Sequence, residues 1–241
     1  MTTRIAMWSG PRNLSTAMMR SFGSRSDTFV SDEPFYGCFL KTSGGDHPMR
    51  DAVLASMDCD WRSVIATLGG ATPGGSPVWY QKHMWHHMTG PVGYADFEGF
   101  THAFLIREPD RMIASYLRKR EAAAFEDFGL ERQAEFFERE ADRLGVAPPV
   151  IDAADVLADP QAVLSKLCAS LGIGWDPAML YWEPGPRATD GQWAPHWYAA
   201  VEASTGFGPP ETGPVELPDD AQGLAERCRP YYERLAQHRL T

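Results

Sequence analysis

The chain has 241 residues, is 44% hydrophobic and 22% charged, and carries a formal net charge of −10. Those values fit one α/β domain or two very small ones, and they exclude a disordered chain. The acidic balance excludes a non-specific nucleic-acid binder, which needs clustered Lys and Arg to neutralise phosphates, yet a few converging cations can still grip a single anion. The four cysteines, Cys38, Cys59, Cys168 and Cys228, form no C-x-x-C pair. Reduced thiols are therefore expected, rather than a zinc site or a disulfide framework. No apolar h-region precedes a cleavage site, and no run of 18 apolar residues occurs, so the expected setting is the cytoplasm with no membrane span.

Ile5 to Trp8 is a short apolar run closed by the turn Ser9-Gly10-Pro11, and Ser15 to Phe22 follows with helical spacing. A strand, tight loop and helix in this order make the first unit of a parallel sheet. Thr28 to Ser31 reads as a second strand closed by Asp32-Glu33-Pro34, and Asp60 to Leu68 as a helix ended by a Gly/Pro stretch. Val78 to His83 is a third strand, and Thr101 to Arg107 a fourth. Pro109 to Ala124 is expected to be helical with proline in its first turn, followed by an amphipathic helix from Leu130 to Leu144. Pro149 to Asp152 is a fifth strand. Asp159-Pro160 opens a helix that Gly172 closes, and Asp176-Pro177 repeats the device. Residues 183–218 are expected to form a loop-rich lid interrupted by a helix from Ala194 to Ser204. A last helix in 219–241 should kink or break at Pro230. Alternating strands and helices, with no repeat and no clean boundary, imply one domain over 1–241: a central parallel sheet of about five strands between helical layers.

The segment Trp8-Ser9-Gly10-Pro11-Arg12-Asn13-Leu14-Ser15-Thr16 joins the first strand to the first helix. Backbone N–H groups and the helix N-terminus favour an anion there, Arg12 adds a full charge, and Ser15 and Thr16 add hydroxyls. The plainer alternative is a turn with Asn13 or Ser15 capping the helix. The loop has no lysine, so it is not G-x-x-x-x-G-K-[ST], and the fourth strand ends in Arg107 rather than a magnesium-holding carboxylate. Beyond Arg107, the residues Arg111, Ser115 and Lys119 are spaced four apart on one helical face. Together these make a compact phosphate site that needs no metal, or else a solvated helix face.

The pairing of S-G-P-R-x-x-S-T with a strand that ends in Arg, then seven residues, Ser, three residues and Lys, resembles the sulfotransferase family. The resemblance implies a three-layer, P-loop-like α/β fold. It also implies that the co-substrate is 3′-phosphoadenosine-5′-phosphosulfate, whose product is adenosine 3′,5′-bisphosphate. Gly10, Pro11, Arg12, Asn13, Leu14, Ser15 and Thr16 would hold the 5′-phosphosulfate, while Arg107, Ser115 and Lys119 would hold the 3′-phosphate. Ala154-Asp155-Val156-Leu157-Ala158-Asp159-Pro160 resembles the family's Y-E-D-L-x-x-D-P stretch. Gly185-Pro186-Arg187 with Gly191-Gln192-Trp193 is similar to its R-K-G and G-D-W lid, which implies that Arg187 touches the donor. The family's loop glycines are replaced here by Asn13-Leu14-Ser15, and the G-D-W carboxylate by Gln192.

Sulfuryl transfer needs a base for the acceptor's proton and a cation on the leaving oxygen. Glu33, in Asp32-Glu33-Pro34-Phe35, lies where some family members carry their base. His83, in Lys82-His83-Met84, is similar to the K-T-H motif of cytosolic sulfotransferases. Both remain candidates, with Glu33 placed ahead and Lys82 as the charge stabiliser beside Arg12. His83, His86 and His87 could instead hold zinc, although no fourth ligand is evident. Tyr36, Phe39, Trp85, Trp182, Trp193 and Trp197 could line a pocket for a small acceptor or belong to the core. The competing functions are a P-loop kinase or phosphotransferase and a non-catalytic nucleotide-binding relative.

Overall fold

Ile5 and Met7 pack on one side of the first strand, Ala6 and Trp8 on the other, and all four are wholly buried. A strand apolar on both faces is covered twice, as parallel sheets are. In the computed structural model, which describes residues 2–44 and 47–241, the strands are β1 (Thr3–Ser9), β2 (Thr28–Asp32), β3 (Val78–Met84), β4 (Thr101–Ile106) and β5 (Val150–Asp152). They form one parallel sheet in the order β2-β3-β1-β4-β5. Three short helices, α1 (Ser15–Gly23), α2 (Tyr36–Ser43) and α3 (Arg50–Ser56), are followed by α4 (Trp61–Gly69), α5 (Pro109–Leu117) and α6 (Leu130–Leu144). The chain ends with α7 (Ala153–Ala158), α8 (Pro160–Ser170), α9 (Ala194–Trp197), α10 (Ala199–Glu202) and α11 (Asp219–Ala236). Apolar residues of α1, α2, α3, α7 and α8 cover one face of the sheet, and those of α4, α6 and α11 the other.

Helix starts follow local chemistry. The Asp60 carboxylate accepts from the N–H groups of Arg62 and Ser63 at 3.0 and 2.8 Å and opens α4. Asp152 does the same for α7 and Asp159 for α8, at 2.8 and 2.9 Å. Each such cap stabilises by about 1 kcal/mol.

Three helical expectations need correction. Helix α5 stops at Leu117 rather than Ala124. The run Arg118-Lys119-Arg120 there favours the negative C-terminal end of a helix and would repel itself along a continued one. Lys119 therefore sits exposed in the following turn, not stacked under Ser115. The expected helix from Ala194 to Ser204 is two short ones that meet at Tyr198, whose side chain turns inward and is 4% exposed. Helix α11 runs through Pro230 without ending, since Ala221, Ala225, Cys228 and Leu235 are buried on both sides of the proline. Helices α2, α3 and α7 were not read from the sequence.

The strand order decides where a ligand can enter. The chain leaves β1 for β2 and β3 on one side, then crosses to β4 and β5 on the other. Crossovers that diverge in this way open a crevice beyond the carboxyl end of β1. The segments after β1, β2 and β4 carry Arg12, Glu33 and Arg107 to that edge, and Lys82 stands among the last residues of β3.

Candidate active site

The loop after β1 is held in a shape that its residues do not favour. Arg12 has φ 62° and Leu14 φ 68°, left-handed values that glycine adopts more easily. Strain of this kind persists only where the surroundings over-determine it. Gly10 is required by contact: a Cβ there would lie 2.9 Å from the Phe128 carbonyl oxygen. Asn13 is fully buried, and its Oδ1 has no hydrogen-bond partner. Glu33, at the end of β2, has φ 42° and is pinned by its N–H donating to the Lys82 carbonyl at 3.1 Å.

Lys82 is the densest centre of polar contact. Asp32 and Lys82 are register partners across β2 and β3, so their side chains leave the same face of the sheet. The Lys82 Nζ donates to Asp32 Oδ1 at 2.9 Å, Glu33 Oε1 at 2.7 Å and the Tyr198 hydroxyl at 2.7 Å, with Thr16 Oγ1 at 3.3 Å. Tyr198 OH in turn donates to Asp32, 2.7 Å from Oδ2, and accepts from Trp193 Nε1 at 3.0 Å. Burial alone would lower the affinity of Lys82 for its proton, but Asp32, Glu33 and Tyr198 outweigh it and hold the ammonium charged. Burial pushes the Glu33 carboxyl above its usual value; Lys82 pulls it down and Asp32 pushes it up, and the net shift is upward. The segment that carries Trp193 and Tyr198 is anchored further by the Arg20–Asp190 pair, two bonds of 2.6 and 2.7 Å with both side chains buried.

At the neighbouring strand end, Arg12 and Arg107 come together. Arg107 Nη1 donates to the Arg12 carbonyl at 2.5 Å, and Arg12 Nε donates to Ser115 Oγ at 3.1 Å. Burial lowers the proton affinity of both guanidiniums, and the charge of Arg118 beside them lowers it further. One acidic residue answers this cluster: Arg107 Nη2 pairs with the carboxylate of Glu211. Arg111 holds the same strap through the Gly213 carbonyl at 2.6 Å.

Between these groups lies a cavity of about 270 Å³ whose walls include Pro11, Arg12, Ser15, Thr16, Glu33 and Lys82. Tyr36, Phe39, Trp193 and Trp197, expected as pocket residues, line it, as do Met84, His86, His87, Tyr116, Arg120 and Tyr198. Other expected residues are elsewhere. His83 faces the opposite side of β3, stacked on Trp8 at 4.5 Å and bonded to Gln81, so it is not brought to Lys82 and Glu33. The alternation of side chains along a strand makes this unavoidable for neighbours such as Lys82 and His83. Among the described residues no group of three or more His, Cys, Asp or Glu is set to hold a metal. Arg187 donates to the Glu183 carbonyl at 2.5 Å and borders a different groove beside α1 and β2, so it is not at the donor loop. Trp182 lines that second groove, and Trp85 stacks on Trp8 at 4.2 Å in the core. Asp32, Tyr198, Glu211 and Arg120 were missed. Asp32 read as a turn residue, although its place beside Glu33 was a signal. Tyr198 and Glu211 are distant in sequence and carried none, while Arg120, next to Lys119, reads in the sequence as part of a solvated helix face.

An arginine-lined loop at the switch point of a parallel sheet, with a buried lysine and carboxylate beside it and no P-loop lysine, places the chain among α/β proteins of the P-loop-like kind. The chain matches the sulfotransferase domain family over residues 3–238 and belongs to it. Two Arabidopsis thaliana proteins, branched-chain-amino-acid aminotransferase-like proteins 2 and 1, are each 37% identical over 97% of this chain. The alignments cover 41% and 42% of those proteins, so the chain spans about two fifths of the length of the curated relatives it matches. Among solved structures, a sulfotransferase from Alicyclobacillus acidocaldarius aligns over 100% of this chain and 98% of its own, with TM-score 0.58 and 15% identity. The sulfotransferase domain from the curacin biosynthetic pathway aligns over 95% and 98%, with TM-score 0.56 and 16% identity. That of the Synechococcus PCC 7002 olefin synthase aligns over 94% and 95%, with TM-score 0.54 and 16% identity. At such identities the likeness is one of fold.

Proposed function

We propose that this chain transfers a sulfuryl group from 3′-phosphoadenosine-5′-phosphosulfate to a hydroxyl of a small acceptor. The observation that carries the reading is the meeting of Arg12, Arg107 and Ser115 at one strand edge, with Lys82 and Glu33 beside them. Adjoining cationic groups from two chain segments at one edge suit a doubly phosphorylated adenosine, and the β1–α1 loop suits its 5′ end. The acceptor oxygen attacks sulfur and its proton passes to Glu33. The bond from sulfur to the phosphate's bridging oxygen breaks, and Lys82 stabilises the charge left on adenosine 3′,5′-bisphosphate. The buried, proton-seeking carboxylate and the firmly charged ammonium 2.7 Å apart support those roles.

Adenosine 3′,5′-bisphosphate should raise the melting temperature without added magnesium, while ATP does so weakly or not at all. Arg107→Ala should weaken the bisphosphate by about tenfold or more while leaving adenosine 5′-phosphosulfate nearly unchanged, the loss of one charge-assisted contact being worth about 1.5–3 kcal/mol. No shift with the bisphosphate in calorimetric scans would count against the donor, and equal losses for both ligands against the 3′-phosphate role of Arg107.

A further inference from the structure

The cavity contains one cation that the donor reading does not use. Arg12 bonds Ser115 and touches Arg107 through its own backbone, while Lys82 is saturated by Asp32, Glu33, Thr16 and Tyr198. Arg120 also lines the cavity, just beyond the end of α5. Its guanidinium carbon lies 5.1 Å from the centre of the Trp197 ring, and its buried Nε has no hydrogen-bond partner. Among the described residues its side chain makes no ion pair or hydrogen bond. An arginine stacked on an aromatic face keeps its N–H groups in the plane of the fork, which is the arrangement that grips a carboxylate with two bonds. A buried donor left unpaired in this way is costly unless a ligand completes it.

The carboxylates near Arg120 do not fill that need. Asp127 accepts from the Ala124 N–H at 2.8 Å and bonds Tyr116, and Glu126 lies at the exposed rim without pairing to Arg120. The other walls supply an apolar body with polar marks. Tyr36, His87 and Phe39 stack in a row, with His87 4.6 Å from Tyr36 and 5.0 Å from Phe39. The buried Nδ1 atoms of His86 and His87 also have no hydrogen-bond partner, that of His87 lying 3.8 Å from Glu33 Oε2. At about 270 Å³, the space is slightly below the ~300–1,000 Å³ usual for small-molecule sites, so the guest is small.

We infer that the acceptor is a small hydroxy acid whose carboxylate is gripped by Arg120 on its Trp197 platform while its hydroxyl is presented to Glu33. This rests on the proposed sulfuryl transfer for the role of the hydroxyl, but the anion site stands on Arg120 alone. A panel of hydroxy acids, 4-hydroxyphenylacetate and aliphatic ω-hydroxy acids among them, each paired with its uncharged methyl ester, tests it by calorimetry. Titrations are run on the whole chain with and without adenosine 3′,5′-bisphosphate. At least one acid should bind ten times more tightly than its ester. Arg120→Gln should bring the pair within about twofold, and Arg120→Lys should recover part of the preference at an unchanged melting temperature. Equal binding of acids and esters, a preference that survives in Arg120→Gln, or no binding by any acid overturns the inference. Failure of the bisphosphate to bind is a separate result that overturns the donor instead.

Discussion

Glu33 carries two constraints that a solvent-exposed loop carboxylate does not: a left-handed backbone and a buried side chain bonded to Lys82. Its carboxyl is raised above the usual 4.5, chiefly by burial, so the ionised fraction that can accept a proton disappears at a higher pH than for an ordinary glutamate. The rate should therefore fall on the acid side along a limb centred above 4.5. Glu33→Gln should cost about 10²–10⁴ in kcat and abolish the limb while leaving bisphosphate affinity within a few-fold. A limb that persists in the glutamine variant would assign the base elsewhere. His83 is poorly placed to be that base: burial pushes its imidazole down to about 3, and its ring lies against Trp8 on the other side of β3.

The strap around Glu211 is the element whose behaviour bears most directly on ligand entry. Its carboxylate sits on Arg107, where the proposed 3′-phosphate would bind, and an anion cannot occupy the same N–H groups twice. Glu211→Gln removes the competing charge while keeping the shape, and should tighten the bisphosphate by about three- to tenfold, with a faster on-rate at low salt. Weaker binding by this variant, measured by titration at two ionic strengths, would show that Glu211 assists the donor. The lid on the far side is tied differently. Tyr198 and Trp193 join it to Asp32 and Lys82, and Arg20 holds Asp190, so its position depends on the same buried charges that are proposed to serve the chemistry.

For the molecule as a whole, buried histidines set the acid response. His83 and His86 are pushed down to about 3 and His102 to about 4, each mainly by burial, and His87 lies well below 6.5 for the same reason. In the unfolded chain these groups take up protons near 6.5, whereas the folded chain refuses them until far lower pH. Stability is thus present in full above about 6.5 and is lost as pH falls toward 4. Raised carboxyls at Glu33, Glu108 and Asp152, each chiefly a result of burial, act in the opposite sense. The melting temperature should drop steadily between pH 7 and pH 4.5. A flat or rising profile would mean that those histidines are protonated while folded.

Local chemistry made the sheet legible. The apolar runs at Ile5 and Phe104 are strands where they were expected, and Asp60 and Asp159 opened helices where an aspartate before a helical run should. The loop from Gly10 to Thr16 and the Arg107–Ser115 spacing were visible as well, since each is a short stretch whose residue types suit one kind of ligand. What distance in sequence hid was pairing. Tyr198 against Lys82 and Glu211 against Arg107 join residues more than 100 positions apart, and Arg120 meets Trp197 only after both segments have folded back. The face that a strand residue presents was equally undecided for Lys82 and His83 until the sheet had two covered sides. Residue type and spacing along the chain therefore determined the family. Only the closed structure decided which charges are buried together, because burial and Coulomb interaction depend on separation in space and not on order in the chain.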